Sequence, residues 1–242
     1  MKTVELQYKT ARMIAHRGVS GLETENTCAA FVAAGNRSYW GIETDVHVTA
    51  DGGFAVIHDD RTGRVSPTDL NVEKSTVEEL AKVRLYDAHA IPRKVTRSDL
   101  TIPTLQDYIS VCRYYGKKAV LELKNPMTEE NLRKIAAVIG EHGYLDDTVF
   151  ISFCFENLLI LRRLLPEQSM QFLTGEWSKQ RVDELAQLHM DLDIHMGALN
   201  RERVAYAHEM GVAVNCWTCD DEKAARALME MGVDYITSNI LE

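Results

Sequence analysis

AVLELKNPMTEENLRKIAAVIGEHGYLDDTVFISF, residues 119–153, contains one complete structural unit. AVLEL (119–123) and TVFISF (148–153) are short, apolar and rich in β-formers, whereas TEENLRKIAAVIGEHG (128–143) between them has helical periodicity and ends at Gly143. A strand, a helix and a second strand in this order make a parallel βαβ unit.

Working outward, the same alternation runs from end to end. Strands are expected at 11–16, 41–46, 119–123, 148–153, 170–174, 192–196, 212–217 and 234–238, and each of the first seven leads into a helical segment. Gly35, Gly116, Gly143, Gly211 and Gly232 stand where left-handed helix caps are expected. No G-x-G-x-x-G follows the first strand, which disfavours a doubly wound dinucleotide sheet. With 242 residues, near the usual length of about 250, the expectation is a (β/α)8 TIM barrel forming a single domain over residues 1–242.

One interruption breaks the pattern. Residues 60–103 are polar and far longer than an ordinary connection, with one helical piece at 76–83, and read as a small inserted subdomain on the catalytic face.

Composition narrows the function. A net charge of −9 argues against nucleic acid as partner. Residues 1–18 carry no apolar targeting segment and no uncharged run approaches membrane-spanning length, so the chain reads as soluble and cytoplasmic, with no stable membrane anchor. Five scattered cysteines imply no disulfide framework. Cys216 and Cys219 form a CxxC, but strand alternation through VAVNCWTCDD (212–221) is expected to point them to opposite faces.

The chemistry gathers at strand ends. Glu43 and Asp45 are two residues apart on one strand and so share a face, and Glu122 closes another strand. Carboxylates crowded into a barrel mouth must share protons or bind a cation, and three of them suit one hard divalent ion, Mg2+ or Ca2+. His16 and His58 close two further β-rich runs and are candidates for general base and general acid. Arg17 and Lys124 supply cations suited to an anionic substrate. His195, at the end of the sixth strand, is held open as a site residue, and Glu25 and Asn26 are read as helix-capping or loop-bracing residues.

In order, these residues are His16–Arg17–Gly18, Glu25–Asn26–Thr27, Glu43–Thr44–Asp45, Asp51–Gly52, His58–Asp59 and Glu122–Leu123–Lys124. IPTLQDYI (102–109) and NCWTCDDEKAARALMEMGVDYITS (215–238) extend the series over essentially the whole chain. The set resembles the signature of the glycerophosphodiester phosphodiesterase family. That resemblance implies a barrel with a small insertion, a divalent metal on Glu43, Asp45 and Glu122, and acid/base roles for His16 and His58. It also implies a small-molecule glycerophosphodiester substrate, cleaved to sn-glycerol 3-phosphate and an alcohol through a cyclic phosphate, with Trp217 near the glycerol.

One departure stands out. Ser238 and Asn239 replace an acidic strand end common in relatives, and the change is expected to touch the rim of the barrel rather than the metal site. Two other readings are an enzyme acting on intact phospholipids or sphingolipids and a non-catalytic glycerophosphate-binding barrel. The first would need a basic or apolar rim, which this acidic sequence does not obviously provide.

Overall fold

A computed structural model describes residues 2–242. The chain runs β1 (Arg12–Ala15), α1 (Cys28–Gly35), β2 (Gly41–Val48), β3 (Phe54–Val56), α2 (Val77–Ala81), β4 (Arg84–Tyr86), β5 (Thr96–Thr101), α3 (Leu105–Tyr115) and β6 (Lys118–Leu123). It continues through α4 (Glu129–Glu141), β7 (Thr148–Ser152), α5 (Phe155–Leu164), β8 (Met170–Thr174), α6 (Lys179–Gln187), β9 (Asp191–His195), α7 (Arg201–Glu209), β10 (Val214–Trp217), α8 (Glu222–Met231) and β11 (Tyr235–Ser238).

Eight of these strands are parallel and adjacent in the order β1, β11, β10, β9, β8, β7, β6, β2, and β1 also pairs with β2 through Ile14–Gly41 and Ala15–Ile42. That last pairing closes the sheet into the expected barrel. Within this sheet β3 departs, lying antiparallel on β2.

Closure with period-two alternation makes two cores. Ile14, Val120, Val149, Ile151 and Leu173 point into the lumen, while Phe31, Ile42, Leu121, Phe150 and Ile194 belong to the larger cluster of sheet and helix side chains. Each such fully buried side chain contributes about 1.5–3 kcal/mol relative to exposure. At the far end of the lumen, Arg12 lies over Trp40 and Tyr235, 5.4 and 5.6 Å from the ring centroids. The acidic residues Glu43, Asp45 and Glu122 lie toward the opposite mouth, at the end of β6 nearest Leu123.

Three sequence expectations need correction. Gly116 and Gly232 are left-handed helix caps, and Gly143 and Gly211 lie just past theirs with positive φ, but Gly35 ends α1 in helical conformation before an Asn36 cap. It is required for space: a Cβ there would sit 2.4 Å from the Tyr115 ring. The segment 60–103 contains the expected helix, shortened to α2, but also a β4–β5 hairpin that polar composition concealed. Val72, Leu80, Val83, Leu85, Leu100 and Ile102 pack there with Ala55 and Ile57 in a separate small cluster. Finally, β10 ends at Trp217, so strand alternation does not reach Cys219; both cysteines are buried and free.

The hairpin tip carries a basic and apolar point missed in the sequence. Ile91 is 98% exposed, and Arg93, Lys94 and Val95 beside it are also exposed.

Candidate active site

The acidic centre follows from register. Asp45 on β2 and Glu122 on β6 are direct partners on neighbouring parallel strands, and Glu43 precedes Asp45 by one inward step. Adjacent strands lie about 4.8 Å apart, so all three carboxylates must crowd together. One oxygen from each lies within 4.8 Å of the others, and all three side chains are buried.

Two cations partly offset this charge. Lys124 Nζ is 2.8 Å from Glu122 Oε1 and 3.3 Å from Asp45 Oδ1, and Arg17 Nε is 3.6 Å from Asp45 Oδ2. Burial pushes Asp45 upward, but Lys124, Arg17 and His58 outweigh it and hold the carboxyl below the usual range. Burial and Asp45 push Glu122 up to about 7, and burial with both neighbouring acids raises Glu43 well above its ordinary value. Asp45 Oδ1 still accepts no hydrogen bond, its contact with Lys124 being outside bonding geometry. An all-oxygen donor set that is short of one positive charge and has a free buried acceptor fits a hard divalent cation.

The loop after β1 is built around this centre. Arg17 and Asn26 both have positive φ, and Gly18, with φ +72°, lies so close to Ala30 that a Cβ would approach within 2.6 Å. The Arg17 backbone N–H donates to Glu43 Oε2 at 2.7 Å, and its guanidinium donates to Glu25 Oε1 at 2.9 Å. Asn26 donates to Asp45 Oδ2 at 2.8 Å and accepts from Thr44 Oγ1 at 2.6 Å. Bracing, not capping, is therefore the work of Glu25 and Asn26; Thr27 caps α1.

The two histidines face the same cavity with different partners. His16 Nδ1 lies 2.7 Å from Asn239 Oδ1, which also accepts from Ser20 Oγ, while Asn239 Nδ2 donates to Asp220 Oδ2 at 2.6 Å. Because the Asn239 amide must present its NH2 to Asp220, its oxygen faces His16, which places the imidazole proton on Nδ1 and leaves Nε2 free. His58 Nδ1 instead lies 2.6 Å from Asp59 Oδ1, and Asp59 is held by Arg64 Nε at 2.5 Å. Burial lowers the pKa of both histidines; Arg17 lowers His16 further, while Asp45 and Asp59 oppose the shift at His58.

A cavity of about 70 Å³ joins these groups. His16, Arg17, Glu43, His58, Glu122 and Trp217 line it, together with Phe153 and Asp193.

Residues 16–241 match the model of the glycerophosphoryl diester phosphodiesterase family. The chain belongs to this family. The YhdW protein of Bacillus subtilis (strain 168) is 30% identical, over 94% of this chain and 93% of its own. A glycerophosphodiester phosphodiesterase of Bacillus altitudinis is 28% identical over 93% of each chain. Among solved structures, an Oleispira antarctica phosphodiesterase in complex with the product sn-glycerol-3-phosphate superposes with a TM-score of 0.84. It is 28% identical and is matched over 95% of this chain and 93% of that one.

Within this family member, His16, Arg17, Glu43, His58, Glu122 and Trp217 share one cavity, while Lys124, outside its lining, contacts Glu122 and Asp45. His195 does not line it. Its ring packs edge-on to Trp217 at 5.3 Å and its Nδ1 accepts from the Gly197 N–H. Ser238 and Asn239, expected to touch the rim rather than the metal site, make no hydrogen bond to the three carboxylates, but Asn239 bonds directly to His16. Sequence reasoning also missed Asp193, although it stands one inward step before His195 on β9. No helix of the described residues is long and apolar enough to cross a membrane.

Proposed function

We propose that this chain hydrolyses glycerophosphodiesters to sn-glycerol 3-phosphate and an alcohol, using one divalent cation, Mg2+ or Ca2+, held by Glu43, Asp45 and Glu122. The carrying observation is the single cavity lined by two differently partnered histidines, the acidic centre and Arg17. When bound, such an ion polarises phosphoryl oxygens and offsets the charge that develops on them.

The protein's own groups do the rest. Arg17 and Lys124 hold the phosphate and share its negative charge. His16 Nε2, free because Nδ1–H is committed to Asn239, takes the proton of the glycerol 2-hydroxyl as its oxygen attacks phosphorus. The phosphorus–oxygen bond to the head group breaks, and His58, whose imidazolium is favoured by Asp59, protonates the departing alkoxide. The cyclic phosphate is then opened by water with the roles reversed: His58 takes the proton of water and His16 returns its own to the 2-oxygen. Trp217 walls the glycerol end of the cavity.

The whole of residues 1–242 acts in this reading as one barrel domain, with residues 60–103 inserted over the catalytic mouth. Arg64 from that segment reaches Glu25 and Asp59, which supports a role in shaping the site. Five free cysteines support a reducing, cytoplasmic setting. The acidic balance is against nucleic acid as partner.

Release of sn-glycerol 3-phosphate from a panel of glycerophosphodiesters, with EDTA and after restoring Mg2+ or Ca2+, tests the proposal. Metal-dependent release is expected; no release with any head group or ion would reject it. The exposed Ile91 beside Arg93 and Lys94 favours a second reading, action on intact lipids at a surface. Faster head-group release from phospholipid vesicles than from the water-soluble diester would establish that reading instead.

A further inference from the structure

Among the described residues, Arg17 Nε and Asp45 Oδ1 at the acidic centre are buried without a hydrogen-bond partner, and deeper in the lumen so are one further acceptor and one further donor, both in residues that line the catalytic cavity. Asp193 on β9 is 2% exposed and its Oδ1 accepts no hydrogen bond, while Trp217 Nε1, also buried, donates none. Their neighbours offer nothing. Asn215, in register with Asp193, gives its amide N–H to Gln171 Oε1 at 3.0 Å and accepts from Thr237 Oγ1 at 3.3 Å. Leu173, in register on the other side, is apolar.

Polar atoms closed away from bulk water are normally paired, and unpaired ones beside a cavity mark where a ligand's polar groups belong. A donor and an acceptor together match a hydroxyl, which can accept from one and donate to the other. A phosphate has no proton to give at neutral pH, and a quaternary ammonium head group can neither give nor accept; neither suits the pair.

We infer that Asp193 and Trp217 form a subsite for the glycerol hydroxyl that does not attack phosphorus, with the hydroxyl accepting from Trp217 Nε1–H and donating to Asp193 Oδ1. This rests on the proposed hydrolysis of glycerophosphodiesters. A tryptophan near the glycerol is already implied by the family resemblance; Asp193 as the hydroxyl's acceptor is what the lumen adds. Burial raises the Asp193 carboxyl well above the usual range and Glu122 adds to the effect. A neutral carboxyl keeps a carbonyl oxygen able to accept, so the match does not depend on its charge.

The test compares glycerophosphocholine with the phosphocholine diester of propane-1,2-diol, which keeps the attacking 2-hydroxyl and lacks only the terminal one. Wild-type enzyme is expected to favour the glycerol diester by about 100-fold or more in kcat/KM, since a site built to bond a hydroxyl rejects the analogue lacking it. Asp193→Leu should collapse that ratio to about threefold or less, and Asp193→Asn, which keeps an acceptor oxygen, should preserve a clear preference. If Asp193→Leu fails to melt cooperatively, Asp193→Ala is judged by the same ratio. Equal losses on both substrates, or an unchanged ratio, would overturn the subsite and leave Asp193 a packing residue. Failure of wild-type enzyme to hydrolyse either diester would overturn the proposed function and the subsite together, so the two failures are told apart.

Discussion

Asn239 Oδ1 stands 2.7 Å from His16 Nδ1, although 223 residues separate the two in sequence. A carboxamide, itself anchored on Asp220, therefore orients the imidazole where a carboxylate would also have stabilised its charged form.

This partnership has a pH consequence. Burial and Arg17 depress the His16 pKa below 6.5, so the neutral, proton-accepting form already dominates there. Lowering the pH through that depressed value protonates Nε2 and, in the proposed mechanism, removes the base. The acid limb of kcat/KM against pH should accordingly lie below 6.5, and Asn239→Ala should cost about tenfold or more by freeing the ring to rotate and change tautomer. An acid limb above that value, or full activity in the variant, would remove Asn239 from the proposed mechanism.

Removing either imidazole should be more severe. His16→Ala and His58→Ala are each expected to lower turnover by a factor on the order of 100 to 10,000, with melting temperatures close to wild type. Single-turnover rates with a saturating diester provide the measurement, and a wild-type rate in either variant contradicts its role.

Glu43→Gln should weaken divalent-ion binding and activity together, as read by calorimetry and product release. The ion must displace protons from Glu43 and Glu122, whose pKa values are raised by burial and by crowding. The gain in melting temperature on adding Mg2+ or Ca2+ should therefore grow between about pH 5 and about pH 8. A gain that shrinks over this range would exclude these carboxylates as the binding groups.

Arg64 ties the segment 60–103 to the site through Asp59 and Glu25. Burial raises the Asp59 carboxyl, but Arg64 and His58 together bring it down to about 2. Without Arg64 the carboxylate is less fixed and the charged form of His58 is better stabilised. Arg64→Ala should move the alkaline limb of kcat to higher pH and lower kcat/KM by about tenfold; an unchanged pH profile would show that the segment does not reach the chemistry.

Much of this was legible in the chain because it is local. Alternating strands and helices, and the placement of Glu43, Asp45, Glu122, His16 and His58 at strand ends, follow from short-range periodicity, and the structure brings them to one mouth. The β4–β5 hairpin was hidden because its polar residues face solvent and leave no apolar period to read. What the tertiary structure alone decided is pairing across the closed barrel. The β1–β11 contact sets Asn239 against His16, β2–β6 register sets Asp45 against Glu122, and β9 carries Asp193 into the lumen without a partner. Period two states which residues point inward; only closure, with its fixed register between strands distant in sequence, states which of them meet.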